Sequence, residues 1–442
     1  MTTPVALSPI SRLDGEVRVP GDKSISHRAL IIGALARGRT YLSGLAPGDD
    51  VAHTASCLEA CGVYVRVHAD GRAMVEGSGP ELALSQPRGP LDCANSGSTM
   101  RMLSGPLAGH PITAVLDGDA SLRRRPMRRI AAPLEEMGAE VRLSPAGTAP
   151  ITVAGRRPLR GITFEPPVAS AQVKTAVLLA GLFADGPTTV VEPAPTRDHT
   201  ERLLELCGIE VIREVTPGED RVTVRPGAVQ PFGLRIPGDL SSAAFFLCLA
   251  AARPGWRVLC PGVGLNPGRD GVLKVLGAMG ASVAVDAREL AGGVGEPVGD
   301  VEVRGAALCG TRIAGALVPR LIDELPVIAV LATQAEGITE IRDAAELRAK
   351  ESDRIADLAA GLNLMGASCE ALADGLVIEG PTRLRPAAVD AAGDHRLAMA
   401  FAVAASLAAG AGSAQIDGAE SVAISYPGFF EDLASLSAGR GH

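Results

Sequence analysis

The chain is expected to fold as an α/β protein of two similar domains, each holding three copies of one unit built around a buried helix. Three features lead to this expectation. An apolar helix with a polar opening recurs six times along the chain. A second helix between successive copies ends on a glycine that leads into a strand. Finally, Arg18-Val19-Pro20-Gly21-Asp22 returns, nearly unchanged, as Arg235-Ile236-Pro237-Gly238-Asp239.

The first copy sets the pattern. Pro20-Gly21-Asp22 is a turn signal, Lys23, Ser24, Ser26, His27 and Arg28 are polar or cationic, and Ala29 to Ala36 is almost wholly apolar, with Gly38 ending the expected helix. Such a helix is buried, while its first turn faces something other than core. Lysine and arginine oppose the positive end of a helix dipole, so Lys23 and Arg28 make sense if an anion sits among them. Later copies open at Asn95 (NSGSTMRMLSG), Ser170 (SAQVKTAVLLAG), Asp239 (DLSSAAFF), Asp323 (DELPVIAVLA) and Asp394 (DHRLAMAFAV). Between them, LEACGVYV, LEEMGAEV, LELCGIEV, LGAMGASV and LNLMGASC put Gly62, Gly138, Gly208, Gly280 and Gly366 at the step from the second helix to a strand. Short β-branched runs such as Ile151 to Val153, Thr188 to Val191 and Arg221 to Val224 complete each unit as two helices and several strands.

Six units are too many for one core and suit two sets of three. The near-repeat at Gly21 and Gly238 marks where the chain crosses between them. Residues 21–236 are therefore expected to form one domain, residues 1–20 with 237–442 the other, and a substrate cleft to lie between the two.

Composition narrows the function. Of 442 residues, 47% are apolar but only 3% aromatic, so the cores must be packed with alanine, valine and leucine. No run reaches the ~20 apolar residues that a membrane span requires. The opening MTTPVALSPI lacks a basic leader or an Arg- and Ser-rich transit character, and a cytoplasmic location is expected. A net charge of −8 argues against a nucleic-acid surface. There is no GxxxxGK[ST] or GxSxG, and Gly262-Val263-Gly264 lacks the third glycine of a dinucleotide loop. His53, Cys57 and Cys61 share a helical face, but without a CxxC or a second cluster they read as a buried stripe, and no metal is expected.

The helix starts carry the chemistry. Gly97 lies inside the first turn of its helix, where glycine costs stability but lets a ligand approach the backbone. Ser170, Gln172 and Lys174 offer hydroxyl, amide and ammonium donors, although a cap and a lysine supported by a neighbouring acid would read the same way. In SLRRRPMRR, Arg125, fixed before Pro126, is the candidate for a site, and Arg123, Arg124, Arg128 and Arg129 read as solvated. Arg197 matters only if its helix start faces a ligand. Asp323 and Glu324 invert the charge pattern, and a carboxylate among cations is the natural proton carrier for a bound anion. Lys350, Glu351 and Arg354 fall within about one helical turn, Arg348 and Asp353 read as a surface ion pair, and Arg396 again puts a cation ahead of an apolar helix. Together these residues favour binding of small polyanions with proton transfer and no cofactor.

In order and across essentially the whole chain, PGDKSISHRA, NSGSTMR, RRPM, SAQVKTAVLLAG, TRDHTE, DELP, LRAKESDR and GDHRLAMAF resemble the motifs of the EPSP synthase (3-phosphoshikimate 1-carboxyvinyltransferase) family, with SAQVK and TRDHTE similar to its class II branch. The resemblance implies two pseudo-threefold domains of three βαβαββ units each, an inside-out α/β barrel with helices inside. It implies transfer of the enolpyruvyl group of phosphoenolpyruvate to the 5-hydroxyl of shikimate 3-phosphate. Carried over by motif, Lys23, Ser24, Arg28, Ser170, Gln172, Arg197, Asp323 and Lys350 would hold shikimate 3-phosphate. Lys23, Gly97, Arg125, Gln172, Arg354 and Arg396 would hold phosphoenolpyruvate. Asp323, Glu351 and Lys23 would move protons. A cofactor-free monomer acting on small molecules, with neither nucleic acid nor membrane as partner, is expected.

Some positions depart from the better-known branch. Ala171 stands where a serine is often found, Glu346 where an asparagine is often found, and Ile424-Ser425-Tyr426-Pro427 lacks a lysine used there on phosphoenolpyruvate. Gly97, having no methyl to protrude, is expected to admit glyphosate. Two alternatives stay open at this level. One is the sister transferase acting on UDP-N-acetylglucosamine, whose opening motif has Lys-Asn in place of Lys23-Ser24; the other is a non-catalytic metabolite-binding relative, which would be expected to lose Asp323 and Glu351.

Overall fold

The computed structural model describes residues 4–79, 83–216, 219–288 and 295–438. The chain divides into two compact units, one of residues 21–236 joined by Gly295 and Glu296, the other of residues 4–20, 237–288 and 297–438.

The unit of residues 21–236 contains helices α1 (Lys23–Leu35), α2 (Asp49–Ala60), α3 (Gly97–Ala108), α4 (Arg128–Glu136), α5 (Ala171–Gly181) and α6 (His199–Leu206). Helices α1, α3 and α5 are the apolar repeats, and α3 packs against both α1 and α5. Nearly every residue of the three is buried, including all of Val173 to Gly181. Small residues let the axes approach: a Cβ on Gly105 would lie 2.2 Å from the Ala176 carbonyl oxygen. Three four-stranded sheets flank these helices, and each repeats one pattern. A short strand pairs in parallel with the strand that follows the buried helix, and two antiparallel strands complete the sheet. Leu91–Asp92, Thr113–Asp117, Ile151–Ala154 and Glu140–Arg142 form the middle one. Its chain order of strand, buried helix, strand, outer helix and two strands is the βαβαββ unit. The first sheet takes its parallel strand, Gly233–Arg235, from the far end of this unit.

The other unit repeats the plan with α7 (Leu240–Ala251), α8 (Gly271–Ala278), α9 (Leu325–Ala332), α10 (Arg354–Leu364), α11 (His395–Leu407) and α12 (Phe429–Ser437). Helices α7, α9 and α11 pack on one another, and all three are buried from end to end. Each Leu, Ile, Val or Phe taken fully out of water contributes roughly 1.5–3 kcal/mol, which outweighs the modest intrinsic helix propensity of such β-branched and aromatic residues. Two of its sheets have four strands and one has three, and the N-terminal strands Val5–Leu7 and Asp14–Glu16 complete two of them. The sheets among the described residues are separate, with helices within and no closed ring of strands.

The glycine steps are conformational. Gly62, Gly138, Gly208, Gly280 and Gly366 have φ of +85°, +99°, +80°, +104° and +89°. They follow the last helical residues in the left-handed region that a side chain disfavours. Gly38 does not play this part. Helix α1 stops at Leu35, Ala36 is already extended, and Gly38 lies inside the strand Arg37–Ser43 opposite Gly77. The helix ends because the chain joins a sheet there, not because of a glycine cap.

Candidate active site

In the unit of residues 21–236, the buried-helix starts gather cations and polar groups. Asp22, Ser96 and Ser170 cap α1, α3 and α5 by accepting from the amides of Ile25, Thr99 and Val173. That frees the side chains of the next turn. Arg28 is buried, and donates from Nε to Thr200 Oγ1 (2.8 Å), from Nη2 to Thr175 Oγ1 (2.8 Å) and from Nη1 to the Ser24 carbonyl (2.8 Å). Arg197 reaches the Ser24 hydroxyl at 3.5 Å. Burial first, and then the nearby charge of Arg197, push the Arg28 guanidinium down to about 10. Two like charges held this close, one of them buried, mark the spot as a candidate for a bound anion.

A second group forms around Gly97. Gln172 accepts from Arg101 Nη1 (2.7 Å) and donates to Ser98 Oγ (2.9 Å). A Cβ on Gly97 would lie 3.2 Å from Arg125 Nη1 and 3.5 Å from Arg101 Nη1. Arg125 is the buried member of its cluster, whereas Arg123, Arg124 and Arg128 are exposed. It donates to Asn95 Oδ1 (2.7 Å), and Asn95 is held in turn by Asp119 (2.7 Å). Lys23 pairs with Asp50 at 2.9 Å, both largely buried. His27, buried against Thr54 (2.6 Å), is kept neutral by burial and by the charges of Lys23 and Arg28. That leaves it no part as a charged ligand.

In the other unit the charged residues converge on Asp323. Its Oδ1 lies 3.6 Å from Lys350 Nζ, 3.7 Å from Arg354 Nη1 and 4.0 Å from Arg396 Nε, and its carbonyl accepts from Arg396 Nη1 (3.0 Å). Arg354 is fully buried and forked onto Asp394, at 2.7 and 3.2 Å, with Glu351 at 2.6 Å. Burial opposes charge on Arg354, but Asp394, Glu351 and Asp323 outweigh it and hold the guanidinium protonated. Lys350 goes the other way. Burial lowers its pKa, Arg354 adds to the lowering, and Asp323 only partly offsets it.

Spacing in the sequence does not single out Asp50, Asn95, Arg101 or Asp394 as functional. In the sequence Asn95 is sufficiently explained as a cap and Asp394 as a helix start, but Ser96, not Asn95, caps α3. Asp394 is indeed a cap, taking the Arg396 amide at 2.9 Å, but it is also the fork for Arg354. Arg348 and Asp353 pair at 2.5 Å, as expected of a partly exposed ion pair. His53 and Cys57 both turn to the Asp92 carbonyl, and the described residues hold no metal-binding group of His, Cys, Asp or Glu. Among the same residues no helix is long and apolar enough to cross a membrane. Where a lysine is absent near the C-terminus, Tyr426 is buried and donates to Asp432 (2.5 Å).

The EPSP synthase (3-phosphoshikimate 1-carboxyvinyltransferase) family model matches residues 7–433. A 3-phosphoshikimate 1-carboxyvinyltransferase from Anaeromyxobacter sp. (strain Fw109-5) is 51% identical over 428 residues, covering 97% of both chains. One from Synechococcus sp. (strain RCC307) is 51% identical over 438 residues, covering 98% of this chain and 99% of its own. An EPSP synthase structure from Acinetobacter baumannii superposes with a TM-score of 0.85 at 39% identity, covering 98% of each chain. The enolpyruvyl transferase NikO from Streptomyces tendae shares the fold, with a TM-score of 0.78 at 19% identity over 99% of this chain and 98% of its own.

Proposed function

The chain belongs to the EPSP synthase family, and on that footing we propose how its residues carry the family reaction, transfer of the enolpyruvyl group of phosphoenolpyruvate to the 5-hydroxyl of shikimate 3-phosphate with release of phosphate. Relatives of about half identity carrying that name favour it over transfer to a nucleotide sugar. Arg28, Arg197, Ser24 and Ser170 hold shikimate 3-phosphate together with Lys23, Gln172, Asp323 and Lys350. Arg125, Arg354 and Arg396 hold phosphoenolpyruvate beside Gly97, with Lys23 and Gln172 serving both ligands. The same reading has the protein acting as a cytoplasmic monomer without cofactor or metal.

Chemically, a proton adds to C3 of phosphoenolpyruvate while the 5-oxygen of the acceptor attacks C2 and gives up its own proton. A tetrahedral intermediate results. Loss of a proton from the new methyl group and of phosphate from C2 restores the double bond. Asp323 takes the hydroxyl proton, and Glu351 and Lys23 move the proton at C3. Fixed cations stabilise the negative charge of the departing phosphate, where they need no reorganisation during the reaction. The observation that carries this reading is the Asp323 carboxylate set within 4.0 Å of Lys350, Arg354 and Arg396. The direct test is phosphate release from phosphoenolpyruvate with each acceptor. Release that requires shikimate 3-phosphate supports the reading; release only with UDP-N-acetylglucosamine moves the protein to the sister family, and tight binding without release leaves a non-catalytic relative.

Two further outcomes are expected. In Gly97→Ala the added methyl, 3.2 Å from Arg125 Nη1, displaces that guanidinium, so KM for phosphoenolpyruvate rises about tenfold, ~1.4 kcal/mol. Glyphosate inhibition, competitive against phosphoenolpyruvate in the parent, weakens in parallel, as steady-state kinetics at low phosphoenolpyruvate will show. Second, the lowered pKa of Lys350 means that the folded protein holds fewer protons there than the unfolded chain at pH values just below the ordinary lysine value of 10.5. Across that window stability rises with pH while the cation is lost. The pH profile of kcat/KM for shikimate 3-phosphate should fall on its alkaline side below 10.5, and Lys350→Arg, if active, should move that limb upward. An unmoved limb assigns it to another group.

A further inference from the structure

We infer that Lys174 and Glu192, which are not among the ligand-holding residues above, are positioning residues for Arg197. The inference rests on the proposed role of Arg197 in holding shikimate 3-phosphate. Lys174 projects from the first turn of α5 and is only 1% exposed. Its Nζ donates to Glu192 Oε2 at 2.8 Å and pairs with Glu201 Oε1 at 2.6 Å. Glu192 ends the strand Thr188–Glu192, and Glu201 lies in the first turn of α6. One ammonium therefore pins both ends of the segment that carries Arg197.

The pin reaches Arg197 through its neighbours. Glu192 Oε1 accepts the Thr196 amide at 3.1 Å and the Thr196 hydroxyl, fixing the residue immediately before Arg197. Pro193 and Pro195 have no amide to donate, so Glu192 supplies the polar contacts just before Arg197, while Asp198 just after it is held by Arg202 at 2.8 Å and Arg213 at 3.3 Å. On the far side, Thr200 precedes Glu201, accepts from Arg28 Nε and shares a hydroxyl–hydroxyl hydrogen bond with Thr175. The two arginines proposed for the anionic acceptor are thus held from one buried cluster.

Charge supports a positioning role. Two carboxylates on one ammonium leave an excess negative charge in a place with almost no water, and the field of Glu201 acts favourably on Arg28. A buried network of this kind contributes less to net stability than to fixing one geometry. A merely structural pair would affect how much protein folds, whereas a positioning pair affects how well Arg197 meets its ligand.

The experiment is a double-mutant cycle on the full-length enzyme, with Glu192→Gln, Arg197→Ala and the pair. Glu192→Gln is expected to raise KM for shikimate 3-phosphate about tenfold, with kcat and KM for phosphoenolpyruvate changed less than about threefold. The second substitution should then add less than about twofold to the effect of Arg197→Ala. Independent, multiplying effects, or a loss confined to kcat, would overturn the inference. If Glu192→Gln does not fold, Thr196→Val removes the hydroxyl contact while leaving both ion pairs, and should show the same split at smaller size; unchanged KM in that variant also overturns it. Arg197→Ala alone with normal KM for shikimate 3-phosphate refutes instead the reading on which the inference stands.

Discussion

Asp323→Ala is expected to lower kcat by roughly 10³, within the range in which a positioned acid or base contributes, without raising KM for phosphoenolpyruvate. The sign of the second effect follows from the geometry. Asp323 is the carboxylate that Lys350, Arg354 and Arg396 share. Removing it takes away proton transfer and also removes a negative charge from three cations, so phosphoenolpyruvate should bind as well as before or better, while shikimate 3-phosphate loses one neutral-hydroxyl contact and keeps its cations. Asp323→Asn keeps the shape and lacks the base, and should lose a similar factor. Steady-state kinetics with calorimetric binding of shikimate 3-phosphate separate the two quantities. Weakened binding with intact kcat would reduce Asp323 to a structural counter-ion.

Arg354→Met is expected to be the most damaging change at the phosphoenolpyruvate end. Its guanidinium is fully buried and its removal leaves Asp394, itself 0% exposed, without the fork that compensates it. Breaking such a pair costs on the order of 3–5 kcal/mol of stability. Activity should fall further than stability explains, because a cation proposed to hold phosphoenolpyruvate has gone. Asp394→Asn divides the effects. It weakens the clamp but keeps the Arg354 charge, so it should lose stability while retaining more of kcat/KM than Arg354→Met. Denaturant unfolding and kinetics on the same samples check both, and equal activity in the two variants would refute a direct role for Arg354.

The legible part of the structure is the part that repeats. All-apolar helices with polar openings and a glycine at each helix-to-strand step are local patterns, and the structure has both in the expected places. Charges that oppose a helix dipole single out Lys23 and Arg28 as candidates without any partner in view. Residues that orient those charges are not legible, because their partners come from other helices and strands. Asp50 meets Lys23 from the start of α2, Asp394 meets Arg354 from the start of α11, and Glu192 meets Lys174 from the end of a strand. No spacing along the chain records these pairings, and a carboxylate at a helix start already has a sufficient local explanation as a cap. Arg101 was hidden in the same way, as one more polar residue at the opening of a buried helix. The stop expected at Gly38 has a related cause: the strand that claims Arg37 pairs it with Ser78, and the Arg37 amide donates to the Val229 carbonyl far along the chain.

Proton addition at C3 of phosphoenolpyruvate followed by proton loss leaves an isotopic record that deuterium reads out. Turnover in D2O, followed by NMR of the product and of phosphoenolpyruvate recovered at partial conversion, reads the isotope at the vinyl carbon. Deuterium is expected in the enolpyruvyl methylene of the product, dependent on shikimate 3-phosphate and nearly abolished in Asp323→Ala. A product that keeps both original protons would contradict it, since group transfer would then proceed without the methyl-bearing intermediate that Asp323, Glu351 and Lys23 are proposed to form and resolve.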